Sequence, residues 1–336
     1  PPRPLPLTDV WDGAGLGLPG AERDPERPLI GVVFYRAHRV AGNTQFVADL
    51  CRAIEVAGGD ALPVSCYSLR PDADGRVEAL ELLRDHRVDA LVTTVLAMGR
   101  SGGTSDDAGD DWQVPQLADL GVPVIQAPAC NRSRDDWAGD DTGLTPLDVA
   151  MGVAIPEFDG RIIGPAYAFK EEVDDGGELG TPVIASRTDP ERALRVASLA
   201  VRHARLRRVA PADKRVALVL SAYPTKRSRL GNAVGLDTPA SVIDLLHALR
   251  AGGYRVDRIP ADGDALMAEL ADRLTYDRPK LTAAQAALGA GRLPAGAYEA
   301  WFATLPTEAQ TEVTAIWGPP PGEVYVVDAD PMLFSA

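Results

Sequence analysis

Imidazole, guanidinium and carboxylate groups placed just after strands are the side chains of this sequence with the means to bind charge or move protons. The four histidines, His38, His86, His203 and His247, are scattered, and their spacing describes no metal cage. His38 stands apart because it sits in YRAHRVAGN, the loop after the apolar run PLIGVVFYR (28–36). The carboxyl edge of a parallel sheet is where α/β proteins meet their ligands. Two readings of His38 follow: a ligand contact, and a hydrogen bond internal to the loop.

A second group lies in YPTKRSRLGNAVGLDTPAS (223–241), which runs from a strand-like segment into a helix. Pro239 directly after Thr238 is a helix-start signal, and a helix N-terminus near Gly231 and Gly235 suits an anion. Lys226, Arg227 and Arg229 add charge for carboxylates or phosphates, with Asn232 and Thr238 as neutral partners. No Gly-Lys-Ser/Thr follows, so this is not a Walker A loop. A plain glycine-bearing turn with solvated bases is the alternative.

In AIPEFDGRI (154–162), Glu157 and Asp159 lie two residues apart beside Gly160. Such a pair can touch a cation or accept protons, or cap a turn. Neither an HExxH nor a GxGxxG that follows a strand and opens a helix is present, which removes the usual support for metalloprotease and dehydrogenase readings.

The elements that must position these residues alternate along the chain. After the strand run at 28–36, Val47, Leu50, Ile54 and Ala57 recur at helical spacing and Gly58-Gly59 ends that helix. Strand-like runs at 61–69, 88–97 and 122–128 are separated by helical patterns, and the polar stretch 100–111 reads as a mobile loop. A long helix from about Asp189, with Thr188 and Glu191 as a capping box, carries Arg192, Arg195, Arg202, Arg205, Arg207 and Arg208. An exposed basic stripe of that kind is one way to dock an acidic partner. RVALVLSAY (215–223), a helix with Val242, Leu245, Leu246 and Leu249 on one stripe, and the strand YRVDRI follow. The fold expected is α/β, Rossmann-like or flavodoxin-like parallel-sheet units with helices on both faces, in two domains. The expected divisions are a lead-in at 1–27 whose Trp11 docks on the body, a first α/β domain at 28–187, a basic connecting helix at 188–214, and a second α/β unit at 215–336 completed by residues outside this chain.

Composition narrows the function classes. The 34 basic against 48 acidic residues give −14, which opposes general binding to nucleic acid or to an anionic membrane surface. Cys51, Cys66 and Cys130 have no CxxC spacing, so neither a disulfide framework nor a structural zinc site is expected, and a reducing cytoplasmic setting fits. The sequence has no apolar run of spanning length, and its start lacks the n- and h-regions of a secretion signal. It reads as a piece of a longer protein.

Several segments, in order, resemble the large-subunit family of aerobic cobaltochelatase, the CobN type: FYRAHRVAGNT, DALPVSCYSL, GLTPLDVAMGVAIPEFDGRI, SAYPTKRSRLGNAVGLDTPAS followed by LLHALRAGGYRV, and AYEAWFATLP with IWGPPPGE. The related magnesium chelatase large subunit, which acts on protoporphyrin IX, is similar around PEFDG and Gly231-Asn232 but does not usually read VGLDTPAS. The resemblance implies a subunit that holds a corrin precursor, hydrogenobyrinic acid a,c-diamide, while cobalt enters as substrate. Separate AAA+-type partners would use ATP and magnesium. The family's His-Gly…Glu-Trp-Leu-Pro-Gly-Lys segment does not occur here, so catalytic and metal residues are not assigned, and this piece alone is expected to be inactive. As a substrate-cleft wall it would use His38, Lys226, Arg227, Arg229, Asn232 and Thr238; a scaffold region of the same complex is the alternative.

Overall fold

The computed structural model describes residues 5–13, 24–96, 114–175, 177, 180–221, 230–272, 282, 284–285, 291–322, 326–327 and 330–333. It separates into two units, Pro1–Arg208 and Val209–Ala336.

The first unit is built on β2 (Leu29–Tyr35), whose continuous apolar run is buried along nearly all its length, as a strand covered on both faces must be. It pairs in parallel with β3 (Asp60–Cys66) on one side and β4 (Ala90–Thr93) on the other. The parallel sheet continues through β5 (Val124–Gln126) to β6 (Ile162–Ile163), and the short β1 (Thr8–Val10) closes the β3 edge in antiparallel sense. Without β1, the parallel strands run in space as second, first, third, fourth, fifth, which is the flavodoxin-like order. That order reverses between β2 and β4, so the crevice beyond their carboxyl ends is the place for a ligand.

Alternation along β2 sends side chains to two cores. Ile30, Val32 and Phe34 meet α2 (Gln45–Val56) and α8 (Pro190–Arg208), while Leu29 and Val33 meet α3 (Glu78–Asp85) and α4 (Pro115–Leu120). Gly31 lets α3 close on the sheet: a Cβ there would stand 2.5 Å from Leu83 Cδ2. Trp11 docks as expected, buried and edge-on to Phe34 at 5.5 Å between ring centroids.

The helix α8 is not a connector. Its inner stripe, Ala193, Val196, Ala197, Ala200, Val201 and Ala204, is buried in the first unit, and these small residues let it lie close to its neighbours. Nor does Thr188 cap it. Thr188 ends β8 (Val183–Thr188) opposite Ala168, and the Arg192 amide donates instead to Asp189 Oδ1 at 3.1 Å. Much of the arginine stripe turns back on its own unit. Arg205 donates to the Gly58 carbonyl (2.9 Å), and Arg208 pairs with Asp89 (2.7 Å) and reaches the Pro25 carbonyl (2.7 Å). Reversing Arg205 and Arg208 to Glu therefore lowers the stability of this unit by about 1 kcal/mol in urea denaturation, the scale of partly exposed pairs. Unchanged midpoints would return the stripe to the docking role.

In the second unit α9 (Thr238–Ala251) and α10 (Gly263–Asp272) pack on each other, and helices Ala295–Phe302 and Thr307–Trp317 follow. Its described sheet is antiparallel, with β11 (Asp330–Leu333) between β9 (Gly291–Arg292) and β10 (Val326–Val327). The expected strands at 215–223 and 254–259 are not realised among the described residues: 215–221 and 254–259 belong to no ladder.

Candidate functional site

The turn after β2 sets out the first side chains of the site. Tyr35 ends the strand and α1 (Arg36–Val40) begins at once, carrying His38 over the carboxyl edge. The His38 ring stands edge-on to Phe46 at 4.9 Å and 6.5 Å from Tyr35. Burial, and after it the positive charge of Lys170, pushes its pKa below the ordinary 6.5, so the imidazole is neutral at neutral pH, with one nitrogen to donate and one to accept. Among the described residues the ring makes no hydrogen bond, and the bond internal to the loop is made by the His38 backbone carbonyl.

Lys170 comes from β7 (Ala168–Asp174), which forms a two-stranded hairpin with β8 (Val183–Thr188) and faces Ser186 in register. Asn43 ties this hairpin to the α1 loop. Its amide donates to the His38 carbonyl (2.8 Å), its Nδ2 to Ser186 Oγ (3.4 Å), and its Oδ1 accepts from the Ser186 amide (3.0 Å). An imidazole, an ammonium and a polar tether thus gather at one end of the sheet.

The floor of this edge is held by Arg161, whose guanidinium is fully enclosed. It donates to the Val95 carbonyl (2.7 Å), Gln126 Oε1 (2.6 Å), the Leu96 carbonyl (3.3 Å) and Asp159 Oδ2 (2.6 Å), while the Leu96 amide donates to Tyr35 Oη (3.1 Å). Burial lowers the Arg161 pKa and the Asp159 charge opposes that shift. One buried cation thereby fixes the chain leaving β4, the end of β5 and the approach to β6.

This arrangement corrects the carboxylate pair. Asp159 is buried against Arg161, whereas Glu157 is exposed on α7 (Ile155–Phe158), so the two do not form a shared cation or proton site. Among the described residues no three His, Cys, Asp or Glu side chains are grouped to hold a metal ion.

Sequence reasoning missed Arg161, Lys170 and a second buried carboxylate. Asp148, on α6 (Pro146–Val149), accepts from Asn131 Nδ2 (2.7 Å), Thr145 Oγ1 (2.9 Å) and Cys130 Sγ (3.6 Å). Burial, foremost, pushes the Cys130 thiol up, so it stays protonated as a donor. Tyr167 was also missed: it is fully buried 6.3 Å from Phe46, and among the described residues its hydroxyl has no partner. Tyr167→Phe therefore raises stability by about 1 kcal/mol by removing an unpaired buried hydroxyl. A lower melting temperature in the variant would show that the hydroxyl is engaged.

In the second unit Lys226, Arg227 and Arg229 lie outside the described residues, as does the GRSGG run 99–103 of the first unit, which has nucleophile-elbow spacing. Asn232 is exposed after Gly231, whose left-handed φ of +67° makes the turn and whose amide donates to the Ser221 carbonyl (2.9 Å). Thr238 opens α9 as expected, but Asp237 is its cap: the Asp237 carboxylate takes the Ala240 amide at 3.1 Å. That amide is not available to a ligand anion.

Comparison with known proteins places these features in a family. The family model for CobN/Magnesium Chelatase matches residues 8–333. The aerobic cobaltochelatase subunit CobN of Pseudomonas aeruginosa is 37% identical over 298 residues, 88% of this chain and 23% of that protein. A magnesium-chelatase subunit of Rhodobacter capsulatus is 28% identical over 313 residues, 89% of this chain and 25% of that protein. Among solved structures, the catalytic subunit of cobaltochelatase from Mycobacterium tuberculosis is 46% identical, with a TM-score of 0.80 over 99% of this chain and 26% of that one. The chain spans about a quarter of the length of the curated relatives it matches. From the segment words, the flavodoxin-like sheet and these matches together, the chain belongs to the CobN/magnesium chelatase family.

Proposed function

We propose that this chain is part of a large subunit that holds a corrin precursor, hydrogenobyrinic acid a,c-diamide, while cobalt is inserted during cobalamin biosynthesis. The reaction is that of a nitrogen–metal ligase, and it consumes ATP on separate AAA+-type subunits that also use magnesium. The observation that carries the reading is the carboxyl edge of the first unit, where His38 and Lys170 gather at the end of a flavodoxin-like sheet. It is supported by the 46% identity to a cobaltochelatase catalytic subunit.

The chemistry suits a macrocycle fringed with carboxylates and amides. Lys170 supplies a charge for a carboxylate, and neutral His38 supplies a donor and an acceptor for an amide or a second acid. Insertion of cobalt into a corrin displaces the single inner N–H proton of the ring, and no group of this chain is assigned to accept it. In the second unit, the basic loop with Lys226, Arg227, Arg229, Asn232 and Thr238 is a separate candidate contact for precursor carboxylates. The setting is cytoplasmic. No described helix is long and apolar enough to cross a membrane.

The test is an absorbance titration of hydrogenobyrinic acid a,c-diamide into the full-length subunit, wild type and with His38→Ala plus Lys170→Ala. Loss of one charge-assisted bond is worth about 1.5–3 kcal/mol, so affinity falls at least about tenfold. Arg227→Ala with Arg229→Ala is expected to act similarly. Equal affinity in all variants would leave this chain a scaffold of the complex. Protoporphyrin IX is titrated in parallel, because relatives include magnesium-chelatase subunits. Tighter binding of the porphyrin would replace the cobalt reading with the magnesium one.

A further inference from the structure

Residues Val216, Ala217, Leu218, Val219 and Leu220 form an uninterrupted apolar run in the second unit, yet Val216 is 54% and Val219 69% exposed. From Arg215 to Leu220 the backbone makes no hydrogen bond among the described residues. Water can satisfy those amides and carbonyls, but it has no use for five consecutive apolar side chains, two of them β-branched valines. A run apolar on both faces is the pattern of an interior parallel strand, and left open it is an aggregation hazard.

The chain around it has the order of a parallel crossover. The run leads, through residues partly outside the described set, into α9, and α9 into a second run without helix or ladder, Tyr254–Arg258, whose sequence reads as a strand. The two runs start side by side. Lys214 Nζ lies 5.8 Å from the Tyr254 ring centroid, and Arg255 approaches Asp213 at 3.9 Å. The crossover helix, packed on α10, still has no fully buried residue, and Leu245 is 43% exposed. Right-handed strand–helix–strand units bury both the strand edges and the inner helix face only inside a larger sheet.

We infer that Val216–Leu220 is an interior strand of a parallel sheet whose other strands are supplied by the remainder of the same polypeptide. The relatives that match this chain are about four times as long in a single chain, so such strands are on hand there. A segment tethered in the same chain acts at millimolar effective concentration. A second copy of this chain is a poorer occupant: a two-fold pairing of identical strands satisfies one edge and leaves the other edge open. The inference stands whichever metal and macrocycle the full-length protein handles.

Hydrogen–deuterium exchange of the full-length subunit and of the 336-residue chain tests it. The amides of Val216–Leu220 are expected to exchange on the order of 100-fold more slowly in the full-length subunit. Equally fast exchange in both overturns the inference. Protection already present in the short chain that grows with its concentration also overturns it, in favour of a second copy. Independently, Val219→Asp is expected to lower the melting temperature of the full-length subunit and to leave that of the short chain unchanged. Val219→Ile is expected to be neutral in both. Full-length melting indifferent to Val219→Asp counts against the inference.

Discussion

Replacing Arg161 with Met is expected to lower the stability of the Pro1–Arg208 unit by about 3–5 kcal/mol, because it leaves the Asp159 carboxylate enclosed without its cation. The loss exceeds that of an ordinary ion pair because the same guanidinium holds Gln126 and the carbonyls of Val95 and Leu96. Circular dichroism in urea measures it. The double variant Arg161→Met with Asp159→Leu separates charge from structure: if the cost is mainly the buried carboxylate deprived of this cation, the pair recovers much of the loss. A single variant within about 1 kcal/mol of wild type would mean that water reaches Asp159. Arg161 acts here as a positioning residue, since it touches the backbone that leaves β4 rather than the open edge. Its loss should therefore also weaken precursor binding in the full-length subunit, even under conditions where the variant remains folded.

How far these features were legible in the sequence depended on periodicity. The β2 run and the spacing of Val47, Leu50 and Ile54 announced a covered strand and an amphipathic helix, and both stand where the pattern put them. His38 was nameable from its position after that strand, although the cation beside it, Lys170, was not. Lys170 lies on the hairpin that follows β6, and only the β7–β8 pairing and Asn43 bring it to His38. Arg161 was passed over because an arginine beside a short strand is most often solvated, and nothing local says that four acceptors converge on it. Asp148 reads locally as the acidic residue of a Thr-Pro-Leu-Asp helix start, and it does interact with Thr145. Its burial depends on Asn131 and Cys130, far from it in sequence.

The helix cap shows the same limit at short range. Thr188 and Asp189 are both good caps, and the choice fell to Asp189 only because β8 claims Thr188 for the sheet. In the second unit the pattern was clear and its partners were missing. RVALVLSAY has strand composition throughout, but a strand exists only where a neighbour pairs with it. The segment words that carry the family resemblance, PEFDGRI and GLTPLDVAMG, build the buried supports of the carboxyl edge rather than its open surface. This explains why residue chemistry read along the chain put the carboxylates in the wrong role.

The second large effect concerns the support of the hairpin. Trp137, on α5 (Arg134–Ala138), has the Arg134 guanidinium 4.9 Å and the Arg192 guanidinium 4.5 Å from its ring centroid, and its ring lies 5.3 Å from Phe169 of β7. Arg192 also donates to the Ala166 carbonyl, and Arg134 is held by Asp189 at 2.7 Å, so one indole joins α5, the hairpin and the start of α8. Trp137→Ala removes the shared face of two cations and the packing of Phe169, at an expected cost of about 3 kcal/mol. Trp137→Phe keeps an aromatic surface and is expected to cost about half as much. The loss should be local as well as global. Exchange of the amides in β7 and β8 should quicken more than that of β2 and β4, because those strands are held by the sheet and not by the indole. Since Lys170 and Ser186 ride on that hairpin, the variant should also release the Asn43 tether beside His38 and weaken precursor binding. Uniform acceleration across the sheet would instead make Trp137 an ordinary core residue with no particular hold on the site.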